Sequence, residues 1–203
     1  ALGDEKNPRA GFRAPYSASS SSEMRSYRFK ALLKNDGWVE NAVVSLDERG
    51  RVAAISREEA ESADSVFIDG YALPGFQNAH SHAFQYAMAG LAERHSAAQK
   101  ADDFWSWREA MYRLAINLSP DEMKTIAAML YAELIRHGYT SVAEFHYLHH
   151  DKTGAPYDNL ALMGEALIEA AREAGIKITL IPIFYQKGGF DLPPTERQKR
   201  FIS

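Results

Sequence analysis

Leu73-Pro74-Gly75-Phe76-Gln77-Asn78-Ala79-His80-Ser81-His82 reads as an apolar strand that passes through a Pro-Gly step and ends in two histidines one residue apart. In an extended chain residues i and i+2 point to the same side, so both imidazoles can reach one ion. Neutral imidazole is a common zinc ligand, and a catalytic zinc takes three protein ligands and keeps one position open for water. His80 and His82 are therefore two candidate ligands, one short of a set. The same spacing also suits two solvated histidines at a strand end. The next segment, Ala83 to Leu91, carries Phe84, Met88 and Leu91 and suits a short helix. That places the pair at the C-terminal end of a strand, where barrel enzymes keep their chemistry.

Beyond the histidines the chain alternates helix and strand. Ser119-Pro120-Asp121-Glu122 spells an N-cap, a proline at the first helical position and a glutamate at the third, a capping box. Met123, Ile126, Ala127, Leu130 and Leu134 recur at three- and four-residue steps, and Arg136-His137-Gly138 supplies the stop. A strand from Tyr139 to His146 follows. Asp158 is then placed to cap a helix bearing Leu160, Met163, Leu167 and Ala171 and closed by Gly175, and Ile176 to Phe184 is a nearly continuous apolar strand. This order predicts an α/β fold with a parallel sheet. The residues from Gly189 to Ser203 are polar and Pro-containing, without a strand or cap to finish a domain. The expectation is a chain that holds only the first part of a larger barrel.

Working toward the N-terminus, Val66 to Ile68 reads as a short strand, and Ala42 to Leu46 and Arg51 to Ile55 form a hairpin around Asp47-Glu48-Arg49-Gly50. Tyr27, Phe29, Ala31 and Leu33 alternate along a half-buried strand. These strands predict a small β subdomain over 25–71, ahead of a barrel portion over 72–203. Residues 1–24, rich in Ser, Ala, Pro and Gly, read as a flexible leader. An organelle transit peptide is the alternative for it, with Asp4 and Glu5 counting against.

Composition narrows the function. The chain has 203 residues, 46% of them hydrophobic, and a net charge of −4 without a basic block, which excludes a nucleic-acid footprint. It contains no cysteine, so a metal would be held by His, Asp or Glu, and a reducing cytoplasm fits. No apolar run is long enough for a membrane span.

Further candidates cluster at two places. His146-Tyr147-Leu148-His149-His150-Asp151 follows the strand that ends at His146, and its strand end faces the same mouth as His80 and His82. His146 and Tyr147 are the better candidates there, whereas His149 and His150 read as solvated loop residues. Glu144 reads as an interior carboxylate that supports a neighbour rather than binding metal. In Asp103-Phe104-Trp105-Ser106-Trp107-Arg108-Glu109, Arg108 can clamp a carboxylate through its planar fork or pair with a surface acid. Gln85 can bond a ligand at the helix start or solvate a turn.

Pro74 to Gln85, then Ala87-Met88-Ala89-Gly90-Leu91-Ala92-Glu93, Phe104-Trp105-Ser106-Trp107-Arg108 and Ala143-Glu144-Phe145-His146-Tyr147-Leu148-His149-His150, resemble the amidohydrolase superfamily and within it the N-formimino-L-glutamate iminohydrolases. The resemblance runs from Tyr27 to Ser203 and implies a small N-terminal β subdomain followed by the first strands and helices of an incomplete (β/α)8 TIM-like barrel. It implies hydrolytic deimination in histidine breakdown, a single zinc held in part by His80 and His82, and substrate contacts from Gln85, Arg108 and Tyr147. It also implies that the remaining ligands and the general base lie beyond Ser203, so that this chain alone would be inactive or very weakly active, and it suggests a homodimer. Iron, nickel or manganese would suit two histidines as well. The competing expectations are a related amidohydrolase acting on a nucleobase or another amidine, and a non-catalytic assembly module.

Overall fold

The computed structural model describes residues 25–57, 65–90 and 104–203. The expected leader, residues 1–24, and the segment from Leu91 to Asp103 lie outside them. The chain divides between Pro74 and Gly75 into two compact units.

The first unit is a four-stranded sheet of order β3-β2-β1-β4, made of β1 (Arg25–Lys34), β2 (Gly37–Leu46), β3 (Val52–Arg57) and β4 (Ser65–Ala72). The predicted hairpin joins β2 to β3 in antiparallel register. Asp47 holds its turn, with Oδ1 accepting the N–H groups of Arg49 and Arg51, and Gly50 takes φ of +71°, a conformation that favours glycine. β4 returns parallel to β1.

The second unit carries a three-stranded parallel sheet of order β5-β6-β7: β5 (Phe76–Ser81), β6 (Tyr139–His146) and β7 (Lys177–Pro182). Between the strands lie α1 (Phe104–Ala115), α2 (Pro120–Arg136) and α3 (Leu162–Ala174), and β5 runs into a 3-10 helix, Ala83–Met88. The fold class is α/β, with a β unit followed by successive strand-helix pairs of a parallel sheet. Gly75 is required where β5 begins, because any side chain there would collide with Thr140 at the start of β6. The core is built from Met123, Ala127 and Tyr131 of α2 and Met163, Leu167, Ala170 and Ala171 of α3, together with Val142 of β6. Among the described residues no helix is long and apolar enough to cross a membrane.

The capping box forms as read. The Ser119 hydroxyl accepts the Glu122 N–H and Glu122 accepts the Ser119 N–H at 2.7 Å, and Gly138 follows α2 with φ of +86°. Two expectations are overturned. Asp158 does not cap α3, which begins at Leu162 after Ala161. Asn159 Oδ1 accepts the Ala161 N–H instead, a local turn that leaves Leu160 exposed. The segment 189–203, expected to hold no cap, does hold one near its end. Thr195 and Gln198 form a second capping box, and Gln198, Arg200 and Phe201 are almost completely buried. Arg200 donates to the carbonyl oxygens of His150, at 2.8 Å, and Ala115.

Candidate metal centre and adjoining pocket

The extended backbone of β5 continues into His82, which sends His80 and His82 to one side, and their Nε2 atoms stand 3.0 Å apart. Two nitrogens bound to one tetrahedral zinc at ~2.05 Å lie about 3.3 Å from each other, so the pair has the spacing of two ligands on one ion. β6 holds both rings. The carbonyl of Phe145 can only accept, so His82 Nδ1 carries the proton at 2.9 Å and Nε2 keeps its lone pair for a metal. The Phe145 ring stacks on His80 with centroids 4.3 Å apart. Burial lowers the His82 pKa, and His80 lowers it further against the opposing Phe145 carbonyl, which favours the neutral, ligating form. Two donor atoms therefore fit a metal. Among the described residues no third His, Cys, Asp or Glu side chain joins them.

Gln85 and Tyr147 are brought together beside this pair. Gln85 Nε2 donates to the Tyr147 hydroxyl at 2.9 Å, and the Tyr147 ring packs against His82 with centroids 5.1 Å apart. Burial raises the Tyr147 pKa well above the usual phenol range, so at neutral pH the group keeps its hydrogen as a donor.

Arg108 lies in an adjoining cavity of about 590 Å3, with Trp105, Tyr112, Gly188 and Gln198 in its walls and the Glu109–Arg197 ion pair beside it. Its Nε donates to Tyr112 Oη at 3.0 Å and its guanidinium sits over the Trp105 and Tyr112 rings, 5.6 and 5.2 Å from their centroids. Arg108 does not bond to Gln85 or Tyr147 directly. The link runs through rings, from Tyr112 to Phe201 at 5.8 Å and from Phe201 to Tyr147 at 5.1 Å. Gln198, which the sequence reading passed over, fixes this wall: its Nε2 donates to Tyr185 Oη at 2.7 Å, Tyr112 Oη at 3.0 Å and Gly188 O at 3.1 Å. The Thr195–Gln198 spacing of a capping box is the signal that could have revealed it.

Glu144 does support a neighbour, accepting the Ala83 N–H at 2.6 Å, but from the side of β6 opposite the histidines. It shares the helix-facing side with Val142 and His146, while Phe145 points toward His80. Two other expectations change. His146 is buried near Gly164 of α3 and Leu180 of β7 rather than at the mouth, and burial pushes its pKa down to about 3. His149 is not a solvated loop residue, since its Nε2 bonds Ile183 O at 2.9 Å and its backbone N–H reaches Arg200 O.

Residues 71–197 match the model of the Amidohydrolase family. The chain belongs to that family. It is 45% identical over 175 residues to formimidoylglutamate deiminase of Pseudomonas aeruginosa, a match that takes in 86% of this chain and 38% of that protein. The chain thus spans well under half the length of this relative. The crystal structure of an amidohydrolase from Brucella melitensis, 40% identical, superposes with a TM-score of 0.79 over 88% of this chain and 39% of its own. A zinc complex of atrazine chlorohydrolase from Arthrobacter aurescens, 24% identical, has the same fold at a TM-score of 0.58 over 77% of this chain and 35% of its own.

Proposed function

We infer that the chain takes part in hydrolytic deimination of N-formimino-L-glutamate to N-formyl-L-glutamate and ammonia, in histidine degradation. The observation that carries this reading is the 45% identity to formimidoylglutamate deiminase. The convergence of the His80 and His82 Nε2 atoms supports it.

His80 and His82 would hold a zinc ion, the metal found in the Arthrobacter relative. Zinc bound there supplies Lewis acidity that activates water at neutral pH. Arg108 binds a substrate carboxylate, because its Nε and Nη2 bonds to Tyr112 and Gly188 leave further N–H groups of the fork available. Gln85 and Tyr147, locked to each other, orient the formimino end next to the histidines, and the neutral phenol offers a hydrogen bond. The strand-helix order supports a (β/α)8 barrel that takes further ligands and a general base from residues other than those described. The cysteine-free composition fits a cytoplasmic enzyme, and a homodimer is the assembly this reading expects.

The test is ammonia release by the zinc-loaded protein carrying this chain, from N-formimino-L-glutamate and from guanine. Release from the acidic substrate alone supports the assignment, and a preference for guanine sinks it.

A further inference from the structure

His82 occupies the position just before the 3-10 helix Ala83–Met88, with φ −132° and ψ 83°. A Ser, Thr, Asp or Asn side chain at that position ordinarily accepts one of the first free N–H groups of the helix. His82 makes no such bond. Its Nδ1–H is committed to Phe145 O and its Nε2 is aimed at the shared point with His80. A ring directed at a metal cannot also cap the helix that follows it. The Ala83 N–H, on a residue with no exposed surface, has to be satisfied from elsewhere.

Glu144 does this from a strand 61 residues away, its Oε1 accepting the Ala83 N–H at 2.6 Å. The register brings it there: Ser81, the residue between the two histidines, lies opposite Glu144. Adjacent residues of β6 therefore grip the histidine turn from both sides of the sheet, Phe145 on the ring side and Glu144 on the helix side. Glu144 is 1% exposed and, among the described residues, no salt bridge reaches it; the Ser81 and Tyr131 hydroxyls lie against the carboxyl, but Oε2 makes no well-formed hydrogen bond to either. Such a placement is unfavourable for a carboxyl whose only purpose is to fill space. What it gives in return is the bond to Ala83.

We propose that Glu144 is a positioning residue for the candidate metal centre: buried beneath the strand-to-helix turn, it supplies the helix cap that His82 cannot, and so fixes the direction of the His82 ring. The proposal rests on His80 and His82 being metal ligands.

The test compares Glu144→Gln, which keeps an oxygen acceptor of nearly the same shape, with Glu144→Met, which removes it at similar volume. Two quantities are read on folded protein carrying this chain: the zinc dissociation constant, by competition with a chromophoric chelator, and the hydrogen-exchange rate of the Ala83 amide, by NMR. Glu144→Met is expected to weaken zinc binding about 10- to 100-fold, the usual effect of losing a partner that orients a ligand, and to speed Ala83 exchange. Glu144→Gln is expected to restore both. If Glu144→Met does not fold, Glu144→Asp, which withdraws the carboxyl by one methylene, takes its place with the same expected direction. Zinc binding as tight as in the parent protein after Glu144→Met or Glu144→Asp overturns the proposal, as does an Ala83 amide that exchanges in the parent like an exposed one. His82→Ala separates the two claims: unchanged zinc affinity there removes the ligand assignment, whereas the Ala83 exchange rate still reports whether Glu144 caps the turn.

Discussion

Arg108 meets Tyr112 both by a hydrogen bond from Nε and by lying over its ring, and Trp105 lies under the same guanidinium. Lysine has no planar fork, so Arg108→Lys loses the stacking and the bidentate reach together. The expected outcome is a rise in KM for an acidic substrate of about 10- to 100-fold, roughly 1.4–3 kcal/mol, with a smaller change in kcat, read from steady-state ammonia release. His146 governs a pH effect. Its folded pKa of about 3 lies below the ordinary value of 6.5, so between these values the unfolded chain binds a proton that the folded chain refuses. Its contribution to stability is complete above about pH 6.5 and is lost as pH falls toward 3, at up to about 1.4 kcal/mol per pH unit. Urea titrations from pH 7 to 4 should show this slope in the parent and a flatter one in His146→Gln. Glu144, raised by burial, has the opposite sign, so the slopes are to be compared between variants rather than taken from the parent alone. At this scale the histidine pair was legible because its geometry follows from a period of two. The same period held the clue to Glu144 and His146, which share parity with Val142 and oppose Phe145. Which parity faces the helices is decided by packing, and no local pattern states it.

Among the elements, α2 is the one whose boundaries follow from local chemistry. Ser119, Pro120 and Glu122 start it and Gly138 follows its end. Ser119→Ala should lower stability by about 1 kcal/mol, measured by urea unfolding, and Ser119→Asp should retain most of it. The start of α3 was not legible in the same way. Asp158 and Asn159 are both competent turn formers, and Asn159 takes the Ala161 N–H while also donating to Glu165 Oε2 at 2.8 Å, which shifts the helix start past Leu160. Two adjacent residues with the same local chemistry can be told apart only by what else they reach.

Across the second unit, the segment after Thr195 closes the wall behind Tyr112, Tyr147 and Tyr185. Gln198 bonds two of these phenols, and the Phe201 ring packs on all three. Its composition reads as polar because the residues that matter, Gln198 and Arg200, are polar groups whose partners lie far away in the chain. Phe201→Ala should cost about 3–5 kcal/mol in denaturant unfolding and should also loosen Tyr147, raising KM along with the loss of stability. Arg200→Met should be destabilising by a few kcal/mol, because it leaves the carbonyls of Ala115 and His150 without their donor. An unchanged unfolding midpoint in both variants would show that the segment does not belong to the folded core.

The Arg200 bonds span 50 residues to His150 and 85 to Ala115. Contacts of that separation are closed late, after hairpins and capped helices that need only neighbours along the chain. In time, then, α2 can assemble first, the histidine turn follows through bonds to β6 that span 61 and 63 residues, and the cavity wall, tied to α1 by bonds that span 85 and 86, is the last part of this unit to form. Read in reverse, local opening should begin there, so that amides around Gly188 and Gln198 exchange before those of β6 while the histidines are still held.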